Sequence, residues 1–196
     1  MSMEKPKGLR LLFDVVEILV LAVIIAGILY AAGFRQAQVD GHSMESTLHH
    51  GERLLLSNFF YTPERGDIIV INRYDSTKTY SEFELATETT PLVKRVIGVG
   101  GDTVRISADA VYVNGELLEE AYTKGSNFPD YIQEKTADGS VCEVQEITVP
   151  DGCLFVLGDH RDDSLDSRFY EIGCIREQDV MGKAIWRFAP FGPLYE

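Results

Sequence analysis

Two residues of this sequence, Ser43 and Lys94, could together perform nucleophilic chemistry. Ser43 lies in the octapeptide at 41–48, which reads GHSMESTL, and Lys94 lies in the apolar run at 91–99, which reads PLVKRVIGV. A serine hydroxyl is a weak nucleophile that needs a neighbouring group to accept its proton. Burial disfavours a charged ammonium and can lower the pKa of a lysine by up to about 3–5 units, which makes the amine a usable base.

A third stretch, residues 158–168, carries charged residues that could brace this pair; it reads GDHRDDSLDSR. A carboxylate next to Lys94 would favour its charged form, so we expect Asp166 to pair with Arg168 and not with Lys94. The oxyanion of an acyl-transfer intermediate needs hydrogen-bond donors, and the backbone N–H of Ser43 is the candidate. Gly41, two residues before Ser43, has no side chain that could donate to the oxyanion. A second oxyanion donor must therefore come from the backbone or elsewhere.

The composition is that of an acidic chain with a hydrophobic core. The 196 residues are 45% hydrophobic and 25% charged, and the formal net charge is -13. Nucleic-acid binding requires a basic face, so this charge argues against nucleic acid as the main partner. The three cysteines, Cys142, Cys153 and Cys174, allow one disulfide bond or none, and we interpret them as small core residues.

The N-terminal segment predicts one membrane-spanning helix over residues 15–34, whose only charge is Glu17. Twenty residues at about 1.5 Å each match the roughly 30 Å of a bilayer core. Basic residues precede the span, so we expect residues 1–14 in the cytoplasm and residues 35–196 outside it, in a single-pass protein of the cell membrane. A cleavable signal peptide and a buried core helix are the other interpretations of this segment.

Beyond the apolar segment, the sequence predicts a mainly β domain with many short strands and tight turns. Polar stretches near 73–90 and 119–140 interrupt the strands, and we expect a loop or loose hairpin in the first and an irregular excursion in the second. Residues 111–118 predict a hairpin around Asn114-Gly115. The other predicted strands are 37–40, 52–57, 68–71, 92–99, 141–149, 153–157 and 179–188.

In this order after an apolar anchor, these stretches resemble the type I signal peptidases. Residues 41–48 match the family pattern G-x-S-M-x-P-T-L except at position 46, and Arg65-Gly66-Asp67 precedes an apolar strand, as in the second motif. Residues 94–102 match a Lys-Arg pair followed by G-x-x-G-D. Residues 158–168 match G-D-N-R-x-x-S-x-D-S-R except at one position.

The resemblance implies a membrane-bound serine endopeptidase that removes N-terminal signal peptides from exported preproteins and cleaves after small residues. It implies Ser43 as nucleophile and Lys94 as general base, with no metal or cofactor. It further implies five supporting residues and five positions near shallow substrate pockets. The supporting residues are Ser164, which would hydrogen-bond the lysine amine, Asp159, Arg161, Asp166 and Arg168; the pocket positions are Val39, Met44, Leu48, Leu92 and Val93.

The same resemblance implies a β-rich catalytic core with a small excursion, and partners limited to preproteins and the lipid bilayer. We expect a monomer. The chain departs from the family pattern at two positions. Ser46 replaces a proline that would fix φ near -65°, so we expect a freer turn after the nucleophile. His160 replaces an asparagine with a larger group that titrates near neutrality, so the loop could be supported differently.

Two other functions remain open at this point. One is a membrane-anchored assembly factor of the same fold in which the Ser43 and Lys94 pair is idle. The other is a two-metal phosphoesterase, suggested by the D-x-H sequence at 40–42 and by G-D-x-x-D at 158–162. Such metal sites use further histidines downstream, and no histidine follows His160.

Overall fold

The computed structural model describes residues 7–31, 33–72 and 91–194, so the predicted polar stretch at 73–90 lies outside the described residues. Within these ranges the chain forms one α-helix, one short 3-10 helix (Glu177–Asp179) and fourteen β-strands. The helix is α1 (Lys7–Ala31), and the strands are β1 (Phe34–Gln38), β2 (Arg53–Ser57), β3 (Ile68–Ile71), β4 (Leu92–Val99), β5 (Thr103–Ser107), β6 (Ala110–Val113), β7 (Glu116–Leu117), β8 (Ile132–Lys135), β9 (Val141–Val144), β10 (Glu146–Thr148), β11 (Cys153–Leu157), β12 (Ile175–Arg176), β13 (Val180–Ala189) and β14 (Phe191–Gly192).

The helix α1 contains an apolar window, Leu11–Ile28, that is long enough to cross a membrane and is not buried against the rest of the protein. The helix begins at Lys7 and ends at Ala31, whereas the predicted span was 15–34. Phe34 instead opens β1, where it pairs with Ser57. Gly33 explains the difference, because its positive φ of 77° ends a right-handed helix before the apolar sequence ends.

The largest sheet has eight strands and is antiparallel, in the order β1-β2-β13-β3-β4-β11-β12, with β14 paired to β13. The predicted strands at 68–71, 92–99 and 153–157 are observed at those residues, and β3 is buried along its whole length. Branched and apolar side chains suit such strands because both faces are covered. The mainly β prediction is therefore confirmed, and Lys94 lies in the centre of the sheet.

A second sheet, in the order β10-β5-β6-β7, and a separate β8-β9 hairpin complete the domain. Strand β5 was not predicted, although its alternating burial is the period-2 pattern of a half-buried strand. The predicted irregular excursion at 119–140 is wrong in its last part, because β8 pairs with β9. The turn between them contains Asp138-Gly139, a hairpin signal, and Gly139 has a φ of 86°.

Three clusters of buried side chains form the core. The first lies beneath the loop that carries Ser43 and includes Met44, Leu48 and Val93, while the second and third lie on other faces of the sheets. None of the three cysteines forms a disulfide bond in the described part of the chain. Cys153 and Cys174 pack against the second cluster, which agrees with their interpretation as small core residues.

Candidate active site

Ser43 lies in the connection between β1 and β2, at residues 39–52. The backbone N–H of Val39 donates to the Glu52 carbonyl at 2.8 Å, which closes the base of this loop. Inside it, the N–H of Leu48 donates to the Met44 carbonyl at 2.8 Å, so the chain makes one helical turn after Ser43. Met44 and Leu48 are fully buried in the first core cluster, and their burial fixes the turn on the sheet.

Lys94 reaches this turn from the centre of β4. Its Nζ donates to Ser43 Oγ at 2.6 Å, although the two residues are 51 positions apart in the chain. Only 2% of Lys94 is exposed. The structure therefore brings together the two residues that the sequence analysis paired as nucleophile and base, within the reach that proton transfer requires.

Burial controls the charge of the Lys94 amine. Loss of solvent lowers its pKa from 10.5 to about 8, and the carboxylates of Asp166 and Asp159 act in the opposite direction. Asp166 is engaged elsewhere, since its two oxygens accept hydrogen bonds from Arg168 Nε at 2.8 Å and Nη2 at 2.9 Å. The expected pairing of Asp166 with Arg168 is confirmed, and it limits the opposing effect.

If Lys94 is the general base, kcat/KM should rise with pH and level off above about pH 8, because a base must be neutral to accept the Ser43 proton. Below that pKa the ammonium form dominates, so activity should fall about tenfold for each pH unit. Initial rates of cleavage of a preprotein, the substrate that the family resemblance implies, measured between pH 6 and 10.5 would check this. A midpoint near 10.4, the value of a solvated lysine, would contradict the desolvated base.

The loop at 158–168 braces the site through buried ion pairs. Asp166 and Arg168 are fully buried. The N–H of Gly158 donates to Asp166 Oδ2 at 3.0 Å, and Arg168 Nη2 also donates to the Arg161 carbonyl at 2.6 Å. Because each charge has several partners, the pair fixes the path of this loop behind Ser43.

The loop is also bound to strand β4 through Asp159. Arg95 Nε donates to Asp159 Oδ1 at 2.8 Å and Arg95 Nη2 to Oδ2 at 2.6 Å, while Thr47 Oγ1 donates to Oδ2 at 2.5 Å. The support from Arg95 and Thr47 was not predicted from the sequence. A signal was present, because an arginine within a buried apolar strand needs a buried carboxylate partner.

Arg161, a predicted supporting residue, is buried and joins the same loop to a neighbouring segment. Its Nη1 donates to Asn127 Oδ1 at 2.9 Å and to Glu120 Oε2 at 2.8 Å, and its Nε donates to the Gly158 carbonyl at 3.1 Å. Arg161 therefore connects the loop to residues 120–127 and makes no contact with Ser43 or Lys94 that the structure records. Glu120 and Asn127 were not among the predicted site residues.

Ser164 departs from the prediction, because no hydrogen bond joins it to Lys94. Its Oγ is buried and has no hydrogen-bond partner among the described residues. It lies against Gly158, where an added Cβ would come within 2.2 Å of Ser164 Oγ and 2.5 Å of the Ser43 carbonyl oxygen. Glycine at 158 therefore leaves room for both the Ser164 side chain and the Ser43 carbonyl. The Lys94 amine donates to Ser43 Oγ and not to Ser164.

Four of the five predicted pocket residues share one cluster. Val39, Met44, Leu48 and Val93 are buried together in the first core cluster, directly beneath the Ser43 turn. Leu92 packs instead against the third cluster, which contains Ile69, Ile71 and Val96. Neighbouring residues of a strand point to opposite faces, which explains why Leu92 and Val93 separate.

The two departures from the family pattern are both engaged in contacts. Ser46 has a φ of 89° and its Oγ donates to the Tyr122 carbonyl, so the expectation of a freer turn is wrong. His160 donates its backbone N–H to the Ser43 carbonyl at 3.1 Å, and its Nδ1 lies 3.3 Å from the His42 carbonyl oxygen. Each therefore holds the turn that carries the nucleophile.

The residues that suggested a two-metal site have other partners. Asp40 lies 3.2 Å from His50 Nδ1, and His42 Nδ1 lies 2.5 Å from Glu45 Oε1. Asp159 is held by Arg95 and Thr47, as described above. Among residues 7–31, 33–72 and 91–194, no three His, Cys, Asp or Glu side chains gather in a group that could hold a metal ion.

Comparison with known proteins identifies one family for this chain. The family described as "Signal peptidase, peptidase S26" matches residues 12–189. A signal peptidase I of Bacillus licheniformis is 34% identical over 188 residues, which cover 93% of this chain and 91% of that protein. Signal peptidase I T of Bacillus subtilis (strain 168) is 34% identical over 179 residues, covering 90% of this chain and 84% of that protein.

Among solved structures, a signal peptidase I from Enterococcus faecalis V583 matches with 29% sequence identity and a TM-score of 0.41, covering 63% of this chain and 97% of that chain. The family match spans nearly the whole chain, and the relatives are matched over most of their own length. The chain therefore belongs to the signal peptidase family, peptidase S26, and is a serine protease of the signal peptidase I type.

Proposed function

We propose that this protein is a membrane-anchored endopeptidase that removes signal peptides from exported preproteins with Ser43 and Lys94 as its catalytic pair. The observation that carries the proposal is the buried amine of Lys94 at 2.6 Å from Ser43 Oγ. A neutral lysine within hydrogen-bond reach of a serine is the arrangement that nucleophilic catalysis requires. Family membership supplies the substrate class.

In the acylation step, Lys94 Nζ accepts the proton of Ser43 Oγ as that oxygen attacks the carbonyl carbon of the scissile peptide. The tetrahedral oxyanion then collapses, and the C–N bond breaks. The leaving amine, which becomes the N-terminus of the mature protein, takes the proton from the Lys94 ammonium. The signal peptide remains attached to Ser43 as an ester.

Deacylation uses the same residues. Lys94 accepts a proton from water as the water oxygen attacks the ester carbon, and the proton returns to Ser43 Oγ when the ester bond breaks. We assign the backbone N–H of Ser43 as one oxyanion donor. Asp159, Arg161, Asp166 and Arg168 support the reaction indirectly, since they fix the loop at 158–168 behind the nucleophile.

We further propose that α1 spans the membrane with residues 1–14 in the cytoplasm and the catalytic domain outside it. The apolar window Leu11–Ile28 supports this assignment, and basic residues precede it in the sequence. The active site would then lie near the bilayer surface, where the cleavage region of a translocated preprotein emerges. The protein would act there as a monomer and would contact the lipid bilayer and its preprotein substrates.

Cleavage is expected after small residues. Val39, Met44, Leu48 and Val93 are packed into the core, so they form a filled floor beneath the Ser43 turn and leave little depth for a substrate side chain. Replacing alanine by leucine immediately before the cleaved bond of a test preprotein should lower kcat/KM by about 10–200-fold. Mass spectrometry of the products, with full-length enzyme in detergent, measures both the cleavage position and the rate.

The matched control is the same alanine-to-leucine change three residues after the cleaved bond, where no small-residue pocket is proposed. A leucine tolerated before the cleaved bond would contradict the pocket assignment alone. A wild-type protein that leaves the unmodified preprotein uncut would contradict the proposed function itself.

A further inference from the structure

The turn that carries Ser43 adopts a backbone conformation that proline cannot take. Ser46 has a φ of 89°, in the left-handed region that few residues other than glycine occupy, whereas a proline ring fixes φ near -65°. A serine persists in this region only if its surroundings hold it there. The contact that holds it is the hydrogen bond from Ser46 Oγ to the carbonyl of Tyr122.

Glu45 makes a second connection from the same turn to the same segment. Its Oε2 accepts a hydrogen bond from Lys124 Nζ at 2.9 Å, and its Oε1 lies 2.5 Å from His42 Nδ1. His160 Nδ1 lies 3.7 Å from the same carboxylate. The hydrogen bonds from Lys124 and His42 lower the pKa of Glu45 to about 2, so it is ionised wherever the enzyme works.

Residues 120–124, here called the strap, are themselves fixed to the active-site loop. The backbone N–H of Lys124 donates to the Asp159 carbonyl at 2.8 Å, and the N–H of Arg161 donates to the Lys124 carbonyl at 2.8 Å. The guanidinium carbon of Arg95 lies 3.7 Å from the centre of the Tyr122 ring. The strap is therefore a firm support and not a free loop that Glu45 and Ser46 happen to touch.

The contacts close a ring around the nucleophile. One side runs from the Ser43 carbonyl to the N–H of His160 at 3.1 Å, and from that loop to the strap. The other side runs from the strap through Lys124 and Tyr122 back to Glu45 and Ser46. A turn held from both sides keeps Ser43 Oγ in place over Lys94.

We propose that Glu45 and Ser46 are positioning residues, which fasten the nucleophile turn to the strap and so hold Ser43 Oγ within hydrogen-bond reach of Lys94. In this chain the two side chains stabilise a turn that has no proline at position 46. The inference rests on the proposed Ser43 and Lys94 mechanism, and it concerns residues that neither accept nor donate a proton in that mechanism.

The test compares Ser46→Ala, Glu45→Gln and Lys124→Met in full-length protein in detergent with a test preprotein. Each loosens the ring at a different point, and small displacements of reacting groups cost up to about 100-fold in rate. We expect kcat to fall by about 10–100-fold while KM stays close to that of the wild type. Glu45→Gln should lose least, because the amide oxygen can still accept from Lys124.

Two further variants separate positioning from general destabilisation. Ser46→Asn should regain most of the kcat that Ser46→Ala loses, because asparagine tolerates a positive φ and its amide can donate to the Tyr122 carbonyl. Ser46→Pro should be the least active of the Ser46 variants. A Ser46→Pro enzyme as active as the wild type would overturn the proposal.

The pH profile gives a readout that a purely structural role would not move. A loosened turn admits water to Lys94, so the midpoint of kcat/KM should rise from about 8 toward the ordinary lysine value of 10.5. The controls are Ser140→Ala and Asp179→Asn, both outside the ring. The first removes a hydroxyl that donates to Asp138, and the second removes the carboxylate that pairs with Arg176. Both should leave kcat and the midpoint unchanged.

The outcomes separate this inference from the proposed function. Wild-type kinetics in Ser46→Ala, Glu45→Gln and Lys124→Met would overturn the positioning role and leave the catalytic pair intact. A wild-type protein without cleavage activity would overturn the proposed function first. If Ser46→Ala fails to fold, Lys124→Met still decides, because the Lys124 side chain is 51% exposed and its loss removes the other contact between the turn and the strap, the one to Glu45.

Discussion

Replacing Lys94 by methionine is expected to lower kcat for preprotein cleavage by at least about 10⁴-fold. Methionine approximates the length and apolar stem of lysine but has no amine to accept the Ser43 proton. The loss should therefore appear in kcat, with KM close to the wild-type value, because the first core cluster beneath the turn stays packed. Single-turnover cleavage of a preprotein by full-length protein in detergent would measure it.

The same experiment with Ser43→Ala and with the double variant tests whether the two residues act as one unit. If they do, all three proteins should show the same residual rate, because removing either partner disables the other. The matched control is Lys183→Met, which removes a lysine that pairs with Asp67 on the same sheet. Full processing by Lys94→Met would rule out the lysine as base.

Replacing Arg168 by methionine is expected to lower the free energy of unfolding by about 3–5 kcal/mol. The guanidinium is fully buried and holds both oxygens of Asp166, so its loss leaves an ionised carboxylate in the protein interior with backbone N–H donors only. Urea unfolding of the full-length protein in detergent, followed by the fluorescence of the only tryptophan, Trp186, would report the change.

Arg176→Met is the matched control, because Arg176 forms the same kind of pair with Asp179 but is 59% exposed. Exposed pairs contribute about 0–1 kcal/mol, so the control should unfold almost as the wild type does. The double variant Asp166→Leu with Arg168→Met should be more stable than Arg168→Met alone, because it leaves no unpaired charge. Equal losses in Arg168→Met and Arg176→Met would contradict the burial argument.

The sequence predicted the central strands well and the periphery poorly. Strands β3, β4 and β11 are short apolar runs with branched residues, bounded by glycine or proline, and each was observed at its predicted residues. β8 was missed because its sequence, IQEK, is mostly polar, and only pairing with β9 makes it a strand. Local sequence signals fail for such strands because their stability comes from the partner strand.

The residues of the candidate site were predicted from the sequence, but not all of their contacts were. Ser43, Lys94 and the 158–168 loop were found from residue types and motif order, and the pairing of Asp166 with Arg168 followed from the charge requirements of Lys94. Ser164 was expected on the lysine amine but lies against Gly158 with its hydroxyl unpaired among the described residues. No local sequence pattern shows whether the Lys94 amine will hydrogen-bond the hydroxyl of Ser43 or that of Ser164.

By itself, the sequence determined the apolar N-terminal helix, the mainly β domain and the identity of the two residues that could carry out the chemistry. Tertiary structure decided that Lys94 is buried enough to titrate near 8 and that Glu45 and Ser46 bind the strap. The physical reason is the distance along the chain over which each interaction acts. Apolar periodicity and turn residues act over a few positions, whereas desolvation and ion pairing depend on segments that only folding brings together.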